Sequence, residues 1–127
     1  MLFIVNGINA QDSLYIKDKT MAPFSRWHDN GNLHQTGFVS ILNLYNSATC
    51  EYSLVSVCDS TWKLYDNTGK LVQVAHYLNG TKTGVWEYYL DDYIGQVVYS
   101  DGYKVRYLEL NYQGKLLYMK DFLNSND

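Results

Sequence analysis

The chain has 127 residues, of which 46% are hydrophobic, and a formal net charge of −3 with a pI near 5.5. This length corresponds to one domain, and an acidic chain without a basic patch is a poor candidate for nucleic-acid binding. No apolar stretch approaches the roughly 18 residues that a membrane span needs.

Residues 1–12 are expected to lie outside the folded domain, which we place at residues 13–127. Residues 2–5 form a short apolar stub, and Asn9-Ala10 resembles the end of a secretory signal. A complete signal also has a basic start and a longer apolar region. We interpret residues 1–12 as the remnant of a signal peptide whose start lies upstream, or as a disordered N-terminus; an ordinary first strand is the alternative. The protein is accordingly expected to be exported (periplasmic, outer surface or secreted) rather than cytoplasmic.

One group of residues recurs four times along the chain. An aromatic residue is followed three positions later by a second large apolar residue, then by a glycine, and two positions beyond the glycine by an aliphatic residue. The copies are Phe24, Trp27, Gly31 and Leu33; Trp62, Tyr65, Gly69 and Leu71; Trp86, Tyr89, Gly95 and Val97; and Tyr107, Leu110, Gly114 and Leu116. Repetition of this kind indicates stacked supersecondary units that bury their apolar faces against their neighbours.

The turn residues and the runs between them predict an all-β chain with little or no helix. Asn-Gly and Asp-Gly pairs accept the positive φ of tight turns, and the intervening runs alternate with the two-residue period of strands. The predicted hairpins pair residues 24–28 with 33–39, 62–66 with 70–78, 85–90 with 94–100 and 103–111 with 115–122. A further hairpin, 41–45 with 51–57, is inserted near residues 40–59. The turn glycines with φ above zero are predicted to be Gly31, Gly69, Gly95 and Gly114.

Candidate reactive groups are few. Cys50 and Cys58 either form a disulfide across the inserted hairpin or remain as two semi-buried thiols. The histidines are dispersed and no set has the spacing of metal ligands, so no metal or cofactor is expected. Asp91-Asp92 resembles a paired acid, but adjacent strand residues point to opposite faces, and the pair is better interpreted as a hairpin turn. No catalytic residue is predicted.

The chain resembles the MORN-repeat variant family, which includes YwqK-type antitoxin-like repeat proteins. The best match is the run Trp62-Lys63-Leu64-Tyr65-Asp66-Asn67-Thr68-Gly69-Lys70-Leu71, followed by Asn79-Gly80 and by Gly84-Val85-Trp86 at the start of the next unit. The resemblance covers residues 24–122. It implies a single-layer antiparallel sheet of stacked hairpins and a role as an interaction module that binds proteins or lipid surfaces.

The recurring aromatic residues suggest two roles. The ladder of Trp27, Trp62, Trp86 and Tyr107 is predicted to be either a set of stacked cross-strand rings that hold the hairpins together or a partly exposed contact surface. The candidate partner-binding residues are Trp27, Trp62, Tyr65, Trp86, Tyr89 and Tyr107. We predict a non-enzymatic module that binds a protein, a membrane surface or a glycan through one aromatic-rich face. An antitoxin or immunity protein that neutralises a toxin is the alternative, and a hydrolytic site in the inserted hairpin is a third.

Overall fold

The structure, a computed structural model, describes residues 13–122 as one antiparallel sheet. The strands are β1 (Leu14–Trp27), β2 (Leu33–Asn46), β3 (Glu51–Tyr65), β4 (Leu71–Leu78), β5 (Thr81–Lys82), β6 (Gly84–Tyr89), β7 (Ile94–Ser100), β8 (Tyr103–Leu110) and β9 (Leu116–Asp121). They follow one another across the sheet in chain order, except that the short β5 pairs only with β4. The predicted all-β, single-sheet meander is confirmed. Within the described residues no helix has the length and apolar character to cross a membrane.

The first three strands are about twice as long as most of the others. The predicted inserted segment near residues 40–59 forms part of β2 and β3. β2 and β3 run without interruption over 14 and 15 residues. Residues 41–45 and 51–57 pair with each other as predicted, but they are the far halves of two continuous strands and not a separate inserted hairpin. β1 begins at Leu14, ahead of the predicted start at residue 24, and pairs with β2 along its whole length. The predicted N-terminal segment 1–12 lies outside the described residues.

Three turns at one end of the sheet share one geometry. Gly31, Gly69 and Gly114 have φ of 90°, 92° and 88°, and each donates its N–H to the carbonyl three residues before it, at 2.9, 3.1 and 2.9 Å. This is the three-residue hairpin loop in which a left-handed residue, best supplied by glycine, closes the turn. Each of these three glycines therefore occupies the predicted kind of position.

The prediction for Gly95 is wrong, because this glycine lies inside β7. The third hairpin reverses through Asp91 and Asp92 alone, and the turn is closed by a 3.0 Å hydrogen bond from the Leu90 N–H to the Tyr93 carbonyl. A two-residue reversal has no third loop position that would need a left-handed glycine, and Gly95 lies three residues beyond Asp92. The longer spacing of this copy therefore reflects a different turn, and Asp91-Asp92 is the hairpin turn that the sequence predicts.

The predicted disulfide is also wrong, since Cys50 and Cys58 are both free. Cys50 ends the turn before β3, whereas Cys58 lies within that strand, opposite Val39 of β2. Eight residues of extended strand span roughly 27 Å, while the Cα atoms of a disulfide lie within about 7 Å of each other. The two cysteines follow one another along a single strand rather than facing each other across a hairpin.

The core divides into two clusters. Trp62, Ala75, Trp86 and Val97 form the first, on the repeat part of the sheet. Leu42 and Leu44 form the second, on the long first strands. These six are the buried hydrophobic residues of the described chain. A single sheet has no second layer to cover it, so most other apolar side chains stay partly exposed.

Candidate functional site

One face of the sheet carries a row of side chains that alternate between large and small from strand to strand. Trp62 of β3 lies opposite Ala75 of β4, Trp86 of β6 lies opposite Val97 of β7, and Val97 also faces Tyr107 of β8. A small residue beside each ring leaves room for the ring to lie across the neighbouring strand, and such cross-strand pairs stabilise a sheet. We call the face that bears these five residues the ring face.

The row starts at the first two strands, where Phe24 lies opposite Gly37. The rings of Phe24 and Trp62 are 5.6 Å apart between centroids. A Cβ atom on Gly37 would come within 2.5 Å of Cε2 in the Trp62 indole. Gly37 is therefore required by the close approach of the indole to the backbone of β2.

We expect Gly37→Ala to destabilise the protein by about 1–3 kcal/mol, because the added methyl group displaces the indole of Trp62. Unfolding in urea and near-ultraviolet circular dichroism measure the two effects. Gly69→Ala is the control: it strains a left-handed turn residue but has open space around the new methyl group. It should lower stability while leaving the aromatic spectrum unchanged. A Gly37→Ala protein with the wild-type spectrum and stability would contradict the proposed contact.

The two central indoles are anchored as well as buried. Trp62 is 7% exposed and donates its Nε1–H to the Phe38 carbonyl at 2.9 Å. Trp86 is 3% exposed and donates to the His76 carbonyl at the same distance. Since a buried indole N–H needs an acceptor, these bonds fix both rings. The two tryptophans therefore form the base of the ring face, and only a small part of each ring is exposed.

The six predicted partner-binding residues do not share one face. Trp62, Trp86 and Tyr107 lie on the ring face, whereas the alternation of each strand places Trp27, Tyr65 and Tyr89 on the opposite face. Residues three apart on a strand point in opposite directions, so the repeated aromatic spacing could not build one surface. The predicted ladder is wrong at Trp27, which is 60% exposed, because Phe24 is the residue that contacts Trp62.

Three further tyrosines of the ring face are not among the predicted partner-binding residues. Tyr77, Tyr88 and Tyr99 are partly buried and pack against the core cluster. Tyr77 and Tyr99 contact the indole of Trp86, at 5.1 and 5.0 Å between ring centroids. The signal that identifies Tyr88 is its position two residues after Trp86, which puts both on one face of β6.

Burial keeps three phenols of the ring face, those of Tyr77, Tyr88 and Tyr107, in the neutral form. Burial raises the pKa of Tyr77 and of Tyr88 above the usual value. Burial also raises the pKa of Tyr107, which donates its hydroxyl to Oε2 of Glu109 at 2.6 Å. Desolvation disfavours the phenolate, and a carboxylate acceptor stabilises the protonated phenol. These hydroxyls therefore act as hydrogen-bonding groups rather than as bases or nucleophiles at neutral pH.

A cation is already present beside the central indole. The Lys82 Nζ lies 4.7 Å from the ring centroid of Trp86 and 5.1 Å from that of Tyr99. Both distances are within the range of cation–π attraction. Lys82 is placed there by the tight turn through Asn79 and Gly80, both of which have positive φ.

A cavity of about 220 Å³ opens on the ring face between β2, β3 and β4. Ala75, the small residue between the two buried indoles in the large-and-small row, is part of its lining. The lining residues are Gln35, Cys58, Trp62, Lys63, Leu64, Gln73, Ala75 and Tyr77. The cavity therefore combines an apolar wall with two carboxamides and one phenol.

The three histidines lie at two separate places on the sheet. The rings of His28 and His34 stack at 4.1 Å between centroids, while His76 lies 3.0 Å from the hydroxyl of Thr61. Desolvation, then the neighbouring His28 and Arg26, lower the pKa of His34. Between residues 13 and 122, no three histidine, cysteine or acidic side chains converge in a way that could hold a metal ion.

Comparison of the chain with models of known protein families, with curated proteins and with solved structures gives no match. The resemblance to MORN repeats stays a prediction from the residues quoted above. Function is therefore inferred from the ring face and its cavity.

Proposed function

We propose that the protein is a non-enzymatic binding module that holds a macromolecular partner against its ring face. The main observation that supports this proposal is the row of large rings that crosses the sheet from β1 to β8. At the two ends of this face, Phe24 on β1 is 39% exposed and Tyr118 on β9 is 49% exposed. Extended, partly exposed apolar surfaces on a soluble chain usually mark contact sites, and aromatic residues dominate the energetics of such contacts.

The opposite face supports this choice by contrast. In the middle of the same strands its polar side chains bond to one another, as Gln96 does to Glu87 at 2.9 Å. Nearer the edge, Arg106 contacts Asp121 at 3.2 Å. Polar groups that already have partners gain little from a new contact, because each must first lose an existing bond. The opposite face also carries exposed apolar side chains, among them Trp27, but the two carboxamides of the ring-face cavity have no such partner among the described residues.

A non-enzymatic role is consistent with the state of the most reactive polar cluster. Ser40 donates its hydroxyl to the Asp59 carboxylate, which also pairs with Lys19. Ser40 is 0% exposed and Asp59 is 2% exposed, so no substrate reaches them. This cluster stabilises the sheet, and we assign it no part in recognition.

The test compares two neighbouring residues of β9. Tyr118 lies on the ring face and Met119 on the opposite face, and each is 49% exposed. The partner is isolated by affinity capture from the native host, and its binding to purified Tyr118→Glu and Met119→Glu proteins is then measured by calorimetry. We expect Tyr118→Glu to weaken binding about tenfold or more, since it places a charge in an aromatic contact.

Met119→Glu should keep the wild-type affinity while carrying the same charge at the same exposure. Equal weakening by both substitutions, or an effect of Met119→Glu alone, would contradict the assignment of the ring face. Thermal unfolding of both variants confirms that the comparison is made between folded proteins.

A further inference from the structure

We propose that the cavity between β2, β3 and β4 is a binding subsite for a single neutral sugar ring, and that the partner of the ring face is therefore a carbohydrate. This inference rests on the proposed function, because it identifies the chemical class of ligand that the ring face holds.

The size of the cavity suits a ligand group of one ring. Its volume of about 220 Å³ is below the roughly 300–1,000 Å³ of pockets that enclose drug-sized molecules. The depression exists because Ala75 stands opposite Trp62 in the register, where a larger residue would fill the space. Since the cavity lies on a face and not along an edge strand, an extended peptide could not bind there by adding a strand to the sheet.

Two carboxamides stand on either side of the cavity. Gln35 of β2 and Gln73 of β4 both lie opposite Leu64 of β3, so the three residues form one cross-strand row. Both glutamines are half-buried, and neither side chain has a hydrogen-bond partner among residues 13–122. Gln96 differs in this respect, because its amide is bonded to Glu87 on the opposite face. Each carboxamide offers both a hydrogen-bond donor and an acceptor to a ligand.

The phenol of Tyr77 adds a third neutral hydrogen-bonding group. Burial raises the pKa of Tyr77 and that of the Cys58 thiol, so both stay protonated at neutral pH. Lys63 is the charged residue of the lining, but it stands between Trp62 and Leu64 on β3 and its side chain points to the opposite face. The groups that point into the cavity are therefore uncharged.

A pyranose ring matches this combination of groups. Its C–H faces pack against Trp62, Leu64 and Ala75, and its hydroxyls each donate and accept, as the carboxamides require. Arg26 lies opposite Gln35 and Lys82 opposite Tyr77 in the register, but neither cation lines the cavity. A carboxylate or phosphate held inside it would lose water without gaining a cation in contact, which is costly. A purely apolar ligand would leave the half-buried carboxamides without partners.

The experiment is a titration of the ¹⁵N-labelled full chain, followed by NMR, with the methyl pyranosides of glucose, galactose, mannose and N-acetylglucosamine. We expect at least one to bind with a Kd of about 1–10 mM, as suits a ligand of this size. The shifted signals should be the carboxamides of Gln35 and Gln73 and the indole N–H of Trp62. Gln73→Leu should weaken binding about tenfold, because it removes the hydrogen bonds and keeps the volume.

Gln113→Leu is the matched control, since Gln113 is exposed in the turn before β9, and it should leave the Kd unchanged. Methyl glucuronoside tests the charge argument and should bind more weakly than the neutral sugars. The inference is overturned if no neutral sugar shifts these signals at about 0.1 M, if the charged sugar or a peptide binds the cavity better, or if Gln113→Leu weakens binding as much as Gln73→Leu.

The two proposals fail in different ways. If Tyr118→Glu abolishes binding of the captured partner but no sugar enters the cavity, the ring face is a contact surface for another class of molecule and the sugar subsite is wrong. If a neutral sugar binds in the cavity while Tyr118→Glu leaves partner binding intact, the subsite is supported and the wider ring-face contact is wrong.

Discussion

Replacing Trp86 with alanine is expected to destabilise the protein by about 3–5 kcal/mol, which is the usual cost of removing a buried indole. Trp86 is 3% exposed, its ring contacts Tyr77 and Tyr99, and its N–H satisfies the His76 carbonyl. The truncated protein loses these contacts and leaves a carbonyl without its partner. A domain of this size is stable by about 5–15 kcal/mol, so the variant should be largely unfolded at moderate urea concentrations.

The three tryptophans provide their own control series. Trp62→Ala should cost about as much as Trp86→Ala, because Trp62 is 7% exposed and similarly anchored. Trp27→Ala should cost less than about 1 kcal/mol, because Trp27 is 60% exposed. Urea unfolding followed by far-ultraviolet circular dichroism measures all three. If Trp27→Ala were as damaging as Trp86→Ala, the assignment of the core to one row of the ring face would be incorrect.

The turns show how far local sequence can specify this fold. Gly31, Gly69 and Gly114 follow Asp or Asn residues in loops whose backbone requires a left-handed residue, and that requirement is readable from four or five residues of sequence. Gly95 also follows Asp residues, Asp91 and Asp92, yet it lies in a strand. Local chemistry identifies a residue that tolerates a turn, but it does not decide which of two adjacent turns the chain uses.

The ring face was harder to predict because it depends on register. Phe24 meets Trp62 only because Gly37, between them on β2, has no side chain. This arrangement is fixed by the pairing of three strands that are distant in sequence. The cavity likewise exists because Ala75 falls opposite Trp62. A one-residue change of register would give Gly37 and Ala75 other neighbours. The spacing of aromatic residues within one repeat copy therefore could not reveal the contact between Phe24 and Trp62 or the cavity.

Replacing Lys19 with methionine is expected to destabilise the protein by about 3 kcal/mol at neutral pH, because it leaves a buried carboxylate without its cation. The Lys19 Nζ lies 2.7 Å from Oδ2 of Asp59, whose side chain is 4% exposed. The same ammonium donates to Asn79 at 2.7 Å, so it joins β1 to the turn after β4. Lys17→Met is the control, since exposed Lys17 lies at an irregularity of β1, and it should change stability by less than about 0.5 kcal/mol.

The pH dependence of the free energy of unfolding distinguishes the loss of the Lys19 charge from a loss of packing in Lys19→Met. Burial alone would raise the pKa of Asp59, but the hydrogen bonds from Lys19 and Ser40 and the charge of Lys19 lower it below its ordinary value of 3.8. The wild type therefore has this stabilisation above about pH 4 and loses it as the pH falls through the lowered pKa. In Lys19→Met the carboxylate has lost its cation, so its protonation in acid relieves the defect.

The stability difference between the wild type and Lys19→Met should accordingly be largest near pH 7 and narrow below about pH 4, as measured by urea unfolding across that range. Adding Asp59→Asn to Lys19→Met should recover most of the lost stability at pH 7, because the amide carries no charge and can still accept the Ser40 hydroxyl. A difference that stayed constant with pH, together with no recovery in the double variant, would mean that the methylene chain of Lys19 stabilises this part of the sheet and its charge does not.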